Sequence, residues 1–271
     1  NKAKDKLKTI PDDKPWMLWV SFVGPHEPFD TPRPWAGKNN SVKLPDAKRK
    51  PDWIAELPKR NELRQLSESW NNKLKPREIN ECRHDYADHI QLLDKQLELI
   101  IEVLKQRKDY ENTAIVVTAD HGELLGDAEM LYKGCFLEGA IHVPWIYQEP
   151  QVKRKTRNMQ INTALPLTAL LKRTVENLQK GGNANELINW AKKQKGAVVE
   201  FGKEKLIIQG ERKMALDETG KPVWAVHIGR DKDEAVNVIT QKKVRWIFSP
   251  RWSKLRRWGK EITKERSKKL W

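Results

Sequence analysis

The stretch that most constrains the fold is Ala114-Ile115-Val116-Val117-Thr118-Ala119, six uncharged small or β-branched residues, followed at once by Asp120-His121-Gly122-Glu123. An unbroken apolar run of this kind suits a strand covered on both faces, as in parallel sheets flanked by helices. Gly122 lets the backbone turn sharply where the run ends. Ligands of open α/β sheets collect at the carboxyl ends of strands, which is where Asp120 and His121 stand. A carboxylate oxygen and an imidazole nitrogen both ligate divalent cations. The same residues also suit a tight turn whose Asp takes backbone N–H groups, so the neighbouring segments have to decide.

A second apolar run, Trp16-Met17-Leu18-Trp19-Val20-Ser21-Phe22-Val23, ends at Gly24-Pro25-His26-Glu27-Pro28-Phe29-Asp30. It reads as another strand that delivers a histidine at its carboxyl end, with two prolines stiffening the turn around His26. From Thr31 to about Pro76 the chain is irregular, with short helical pieces expected at Trp53–Leu57 and Glu62–Trp70. Long excursions like this in a compact domain are usually functional or mobile.

Arg77 to Lys108 is the clearest helix. Cys82, Tyr86, Ile90, Leu93, Leu97, Ile100 and Leu104 recur at spacings of four and three and form one apolar stripe. Cys82 lies on that stripe as a buried structural thiol, whereas Asp85, Asp88 and His89 fall on the polar side and read as solvated. Strand, long helix and strand in this order make a βαβ unit with a parallel sheet, which brings His26 and Asp120-His121 to one edge. The Gly-rich segment after Glu123 folds back over the strand ends, and Val143–Tyr147 is a further strand. Lys133 sits in that segment as a fixed positive charge for an anion or as an ordinary solvent lysine.

Beyond a basic linker at Val152–Arg157, a helix starts near Asn162 with Pro166 in its first turn and runs through Leu178. Gly181-Gly182-Asn183 breaks it, and Asn185–Lys193 is a short second helix. The period then becomes alternating. Val198–Phe201, Lys205–Gln209, Lys213–Leu216 and Val223–Ile228 form an antiparallel meander, with Val244–Phe248 as a last strand. The basic, Trp-containing tail from Ser249 to Trp271 suits a solvated or docked helix, a membrane surface or a polyanion.

The 271 residues carry 52 basic and 37 acidic side chains, a net charge of +15 that attracts anions of some kind. Hydrophobic residues at 38% and charged residues at 33% suit a soluble globular protein, and no apolar run approaches a membrane span. Two cysteines exclude a disulfide framework and a cysteine-only zinc site. Beginning at Asn-Lys-Ala-Lys, with neither an initiator Met nor a signal peptide's apolar region, the chain is expected to lack its natural N-terminus. Compartment and oligomeric state stay open.

Taken in order, these blocks resemble the sulfatase family of the alkaline-phosphatase superfamily. The match rests on Trp19 to Phe29, on Tyr86-Ala87 and Leu93-Asp94, on Thr118 to Asp127, and on Lys133-Gly134 followed by Val143-Pro144. A weaker fifth block, Asp231-Lys232-Asp233-Glu234-Ala235-Val236-Asn237-Val238, is similar to the family's late Asp-Pro-x-Glu-x-x-Asn-Leu segment. The resemblance implies an α/β fold with a mostly parallel central sheet flanked by helices, followed by a small antiparallel sheet with a helix. The corresponding domains are 1–196 and 197–271. It further implies that Asp120 and His121 bind a divalent metal, usually Ca2+, and that His26 contacts the sulfate and protonates the leaving oxygen. Lys133 would bind a sulfate oxygen. A sulfated small molecule or glycan is the implied substrate, with no specific nucleic-acid partner.

The chain departs from the family pattern in two places. The Cys/Ser-x-Pro-x-Arg motif that yields the formylglycine nucleophile does not occur: Cys82-Arg83-His84 and Cys135-Phe136-Leu137 do not fit it. The nucleophile and a pair of acidic metal ligands would precede Asn1. Ala128 stands where many members carry His. The 271 residues alone are therefore not expected to turn over a sulfate ester. A phosphodiesterase or phosphonate hydrolase of the same superfamily, and a non-catalytic basic polyanion-binding protein, are the alternative readings.

Overall fold

A computed structural model describes residues 1–71, 73–150, 165–194, 196–239 and 250–267, the side chains of 250, 251 and 262–267 excepted. In chain order the elements are α1 (Lys2–Thr9), α2 (Glu62–Trp70), α3 (Pro76–Lys105), β1 (Ile115–Thr118), α4 (Glu138–Ile141), β2 (Trp145–Gln148), α5 (Leu167–Gln179), α6 (Ala184–Lys192), β3 (Ala197–Phe201), β4 (Glu204–Gln209), β5 (Arg212–Leu216), β6 (Pro222–His227) and α7 (Pro250–Ser267). They fall into two compact units. The first comprises Asn1–Ala47, Leu74–Thr118 and Pro144–Lys155, and the second Lys48–Lys73, Ala119–Val143 and Thr156–Trp271.

In the first unit α3 is the spine. Pro76 opens it, where a missing N–H costs nothing, and the Glu78 carboxylate accepts the Lys75 N–H at 2.8 Å. Helix α1 has almost no apolar periodicity and was not foreseen. Its one buried residue is Leu7, and Arg107 fastens its end by donating to the carbonyls of Leu7 (2.5 Å) and Ile10 (2.9 Å). The Arg107 guanidinium also pairs with Asp109 at 2.8 Å and lies over the Trp16 ring. A tertiary clamp nearly a hundred residues away thus supplies what local sequence does not.

The expected strand at 114–119 forms as β1, but the sheet differs from expectation. β1 pairs antiparallel with β2, Val116 opposite Tyr147 and Thr118 opposite Trp145. Trp16–Val23 forms no strand, and Met17, Trp19 and Val23 are 72%, 65% and 86% exposed. No parallel pair occurs among the described residues. An apolar run specifies that a segment needs cover, whereas ladder direction depends on which segment lies beside it. Asp88 also departs from the solvated reading. It is fully buried and accepts from the N–H groups of Gly37 (2.5 Å) and Asn39 (2.8 Å) and from Asn39 Nδ2 (2.7 Å), so this carboxylate organises the loop packed on α3. Ile90, assigned to the apolar stripe, is 45% exposed, and Cys82 is only half-buried.

The second unit is built on an antiparallel sheet in the order β3-β4-β5-β6, with the four strands close to where alternation placed them. Strand side chains alternate between faces, and both faces are covered. Leu206, Ile208, Ala215, Trp224 and Val226 pack with Trp53, Ile54, Leu57, Met130, Phe136 and Leu137. Ile207, Met214, Leu216 and Ala225 pack with Trp252 and Leu255 of α7. The described part of the tail, α7, is therefore a docked helix: Trp252 is 2% exposed and Leu255 is fully buried. Asn61 and Asn183 cap α2 and α6 by accepting backbone N–H groups of their first turns. The basic linker, the start of the α5 segment near Asn162 and the last strand expected at Val244–Phe248 lie outside the described residues. Among the described residues no helix is long and apolar enough to cross a membrane.

Candidate active site

Asp120 and His121 follow β1 directly, at the beginning of the 119–143 stretch of the second unit. The His121 Nδ1 lies 2.9 Å from the carbonyl oxygen of Gly122. A carbonyl only accepts, so Nδ1 carries the proton and Nε2 is the acceptor nitrogen of the neutral ring. That Nε2 is 3.7 Å from Asp120 Oδ2, while Asp120 Oδ1 accepts the His121 N–H at 2.9 Å. The Asp120 side chain is 87% exposed. In metal-binding histidines the ring N–H that does not face the metal is usually held in this way, by a carbonyl or a carboxylate.

This donor set fits a divalent cation, but it is a fraction of what one needs. Ca2+ takes roughly six to eight oxygen ligands, and the described residues contain no group of three or more His, Cys, Asp or Glu able to hold an ion. Asp120 and His121 can supply two positions, and water or other groups must supply the rest.

The φ of Gly122 is not among the positive ones. What requires glycine is close approach. A Cβ there would stand 2.1 Å from the Gly139 carbonyl oxygen, and the Gly122 N–H donates to the Ala140 carbonyl at 2.8 Å. Gly122 is thus seated directly on α4.

Glu123 is a residue that sequence reading passed over. Its carboxylate accepts the N–H of Leu125 at 3.3 Å and that of Tyr132 in a shorter contact. The Leu124 N–H donates to the Tyr132 carbonyl at 2.9 Å. The loop that leaves the Asp-His pair is therefore tied back just before Lys133, whose Nζ lies 5.8 Å from the centre of the Tyr132 ring. Leu125, Ala128, Glu129 and Tyr132 all take positive φ within this loop. Such conformations are uncommon for non-glycine residues and persist where surrounding contacts impose them. Their only sequence signal was the Gly-rich composition.

Cys135 is buried beside this loop, and burial pushes its thiol up to about 12. That rules it out as a nucleophile at neutral pH.

His26 belongs to the first unit. Its turn is held on α3 at three points. Gly24 abuts His89 so closely that a Cβ would be 2.2 Å from the His89 Nε2, Phe29 meets Tyr86 edge-on at 6.2 Å, and Thr31 Oγ1 donates to the Asp85 carbonyl at 2.8 Å. The His26 Nδ1 lies 2.9 Å from the Glu27 carbonyl and 3.2 Å from its carboxylate, which orients the ring.

The family model for sulfatases matches residues 1–172. The chain belongs to the sulfatase family. It is 25% identical over 150 residues to an arylsulfatase of Clostridium perfringens, covering 55% of this chain and 31% of that protein. It is 24% identical over 200 residues to a choline-sulfatase of Rhizobium meliloti, covering 70% and 39%. This sulfatase-family chain thus spans between about a third and two fifths of the length of these curated relatives.

Among solved structures, a protein in complex with its substrate D-glucosamine-2-N,6-O-disulfate aligns with a TM-score of 0.67 at 15% identity, covering 97% of this chain and 68% of that one. A phosphonate monoester hydrolase of Agrobacterium radiobacter aligns with a TM-score of 0.64 at 20% identity, covering 98% and 59%. Both likenesses concern the fold.

Proposed function

We propose that this chain is the metal-binding and C-terminal portion of a hydrolase of sulfate esters, with Asp120 and His121 as two ligands of a divalent cation, most simply Ca2+. The observation that carries the proposal is the His121 ring, fixed through Nδ1 at the end of β1 with Nε2 on the side of Asp120. Membership of the family supports the reaction class.

A bound cation would offset negative charge on the sulfate group. Asp120 and His121 would hold it, and Lys133 would place a fixed positive charge on a sulfate oxygen. His26, with Nδ1 engaged by Glu27, would give the proton on Nε2 to the departing alkoxide. A formylglycine nucleophile belongs to the Cys/Ser-x-Pro-x-Arg motif, which these 271 residues do not contain, so by themselves they are inactive in this reading. A sulfated small molecule or glycan is the proposed substrate class.

Steady-state hydrolysis of a graded series of aryl sulfates by the enzyme that contains these residues tests the assignment. Asp120→Ala is expected to lower kcat/KM by about two orders of magnitude or more, the several kcal/mol a bound cation contributes. His26→Ala is expected to slow poor leaving groups by roughly 100-fold and good ones much less. Equal losses across the series would remove His26 from the acid role. Phosphonate monoester hydrolases share the fold, and a tetrahedral oxyanion suits the same cationic site. Aryl phosphonate monoesters therefore belong in the same assay, and preference for them would move the chain to that activity.

A further inference from the structure

The late segment Asp231–Val238 carries no role in the chemistry proposed above, yet it holds one of the most deeply buried carboxylates of the second unit. Glu234 is 3% exposed and takes a positive φ of 55°. Its carbonyl accepts the indole N–H of Trp53 at 2.9 Å. Its Oε1 lies 2.5 Å from Nζ of Lys213, a lysine of β5 with no exposed surface. The same Nζ is 2.8 Å from Oε1 of Glu138, the first residue of α4. Glu234 Oε2 accepts the backbone N–H of Glu138 at 2.8 Å. Glu138 is therefore gripped at both its side chain and its backbone, from a strand and from a loop far along the chain.

Taking the Lys213 and Glu234 side chains out of water as charges is expensive, and replacing such a cluster with apolar side chains is often neutral or stabilising. Stability alone is thus a weak reason for it. What the cluster does supply is a fixed position for α4, because charge-assisted hydrogen bonds are short and directional. The next two residues of α4 bear directly on the candidate site: the Gly139 carbonyl abuts Gly122, and the Ala140 carbonyl receives the Gly122 N–H. Gly122 is the residue after His121, and its carbonyl sets the His121 tautomer.

We propose that Glu138, clamped by Lys213 and Glu234, is a positioning residue for the Asp120-His121 pair, so that the small antiparallel sheet forms part of the scaffold of the metal site. The role assigned to that pair rests on the function proposed above.

The test is residue-resolved amide exchange on the full chain without added metal, comparing wild type with Glu138→Gln. The β4-β5 ladder amides of Ile207 and Met214 report global stability. The substitution is expected to speed exchange at Gly122 by about 10-fold or more relative to those ladder amides, the change in a local opening equilibrium when a hydrogen bond to a charged group is weakened. A merely structural role for Glu138 would speed both sets together. Unchanged protection at Gly122 in the folded variant, or a change only in step with the ladder, overturns the proposal. If Glu138→Gln does not fold, Lys213→Met combined with Glu234→Gln removes the clamp without leaving an unpaired lysine, and the same comparison applies. Ca2+ titration of the wild type separates the two claims. Exchange that loosens locally while Ca2+ leaves Asp120 and His121 unperturbed upholds the positioning and sinks the metal assignment.

Discussion

Substituting Gly122 by Ala asks the most of the structure. The added Cβ would stand 2.1 Å from the Gly139 carbonyl oxygen and 3.1 Å from its carbonyl carbon, both of them backbone atoms that cannot swing aside. Contacts under 3.0 Å essentially never occur for real Cβ atoms, so α4 and the backbone at residue 122 must separate by about 1 Å, an overpacking that typically costs about 1–3 kcal/mol. The Gly122 N–H to Ala140 bond at 2.8 Å lies in the path of that movement. Losing it adds about 1 kcal/mol. Together the second unit should lose about 2–4 kcal/mol.

Urea unfolding followed by tryptophan fluorescence reads this directly, because Trp53 and Trp224 stack at 5.4 Å in the core of that unit. Gly181→Ala is the control. Gly181 has a φ of +66° with nothing within 4 Å of the added atom, so only the left-handed penalty of roughly 1–2 kcal/mol applies. Gly122→Ala is expected to lower the midpoint clearly more than Gly181→Ala, at unchanged slope. Equal midpoints for the two variants would refute the claim that Gly122 is there for close approach.

Further consequences concern charge, thiols and the docked tail. Burial alone would push the Glu138 carboxyl up, but the hydrogen bond from His142 and the charge of Lys213 outweigh it and hold the group at about 2. The His142 imidazole is raised by the same hydrogen bond. The depressed carboxyl contributes stability above its ordinary value of 4.5 and loses it as pH falls towards 2. The raised imidazole contributes below its ordinary 6.5 and loses it as pH climbs through the folded value. Urea midpoints should therefore decline on both sides of a window from pH 4.5 to 6.5, and Glu138→Gln should flatten both limbs; an unaltered profile in that variant would contradict the pairing.

Cys135, its thiol at about 12, should resist alkylation in the native protein and react only on unfolding, as peptide mass mapping would record. Trp252→Ala empties a site that is 2% exposed and should cost about 3–5 kcal/mol. Wild-type stability in that variant would mean that α7 is not docked on the sheet.

Much of this architecture was legible because it is local. Alternation located β3 to β6 to within a residue or two, since Leu206 and Ile208 face one way and Ile207 the other. The four-three spacing located α3. What the sequence concealed depends on distant partners. Helix α1 exists through Arg107, Asp88 is buried because a loop folds its N–H groups onto it, and β1 runs antiparallel to β2 because that segment lies beside it.

Residue types and their order marked Asp120, His121, Lys133 and His26 as candidates. The means of holding them was not legible. The Glu123 tie to the Lys133 loop, the contact of Gly122 with α4 and the Lys213 clamp on Glu138 all join residues whose sequence neighbours give no hint of the pairing.

The claim on which the functional account stands is that Asp120 and His121 bind a divalent cation, and a Ca2+ titration followed by backbone amide shifts addresses it with no substrate or nucleophile needed. Saturable shifts centred on Asp120, His121 and Gly122, abolished by Asp120→Asn, are the expected result. Shifts absent from these residues, or unaltered by the substitution, would contradict it.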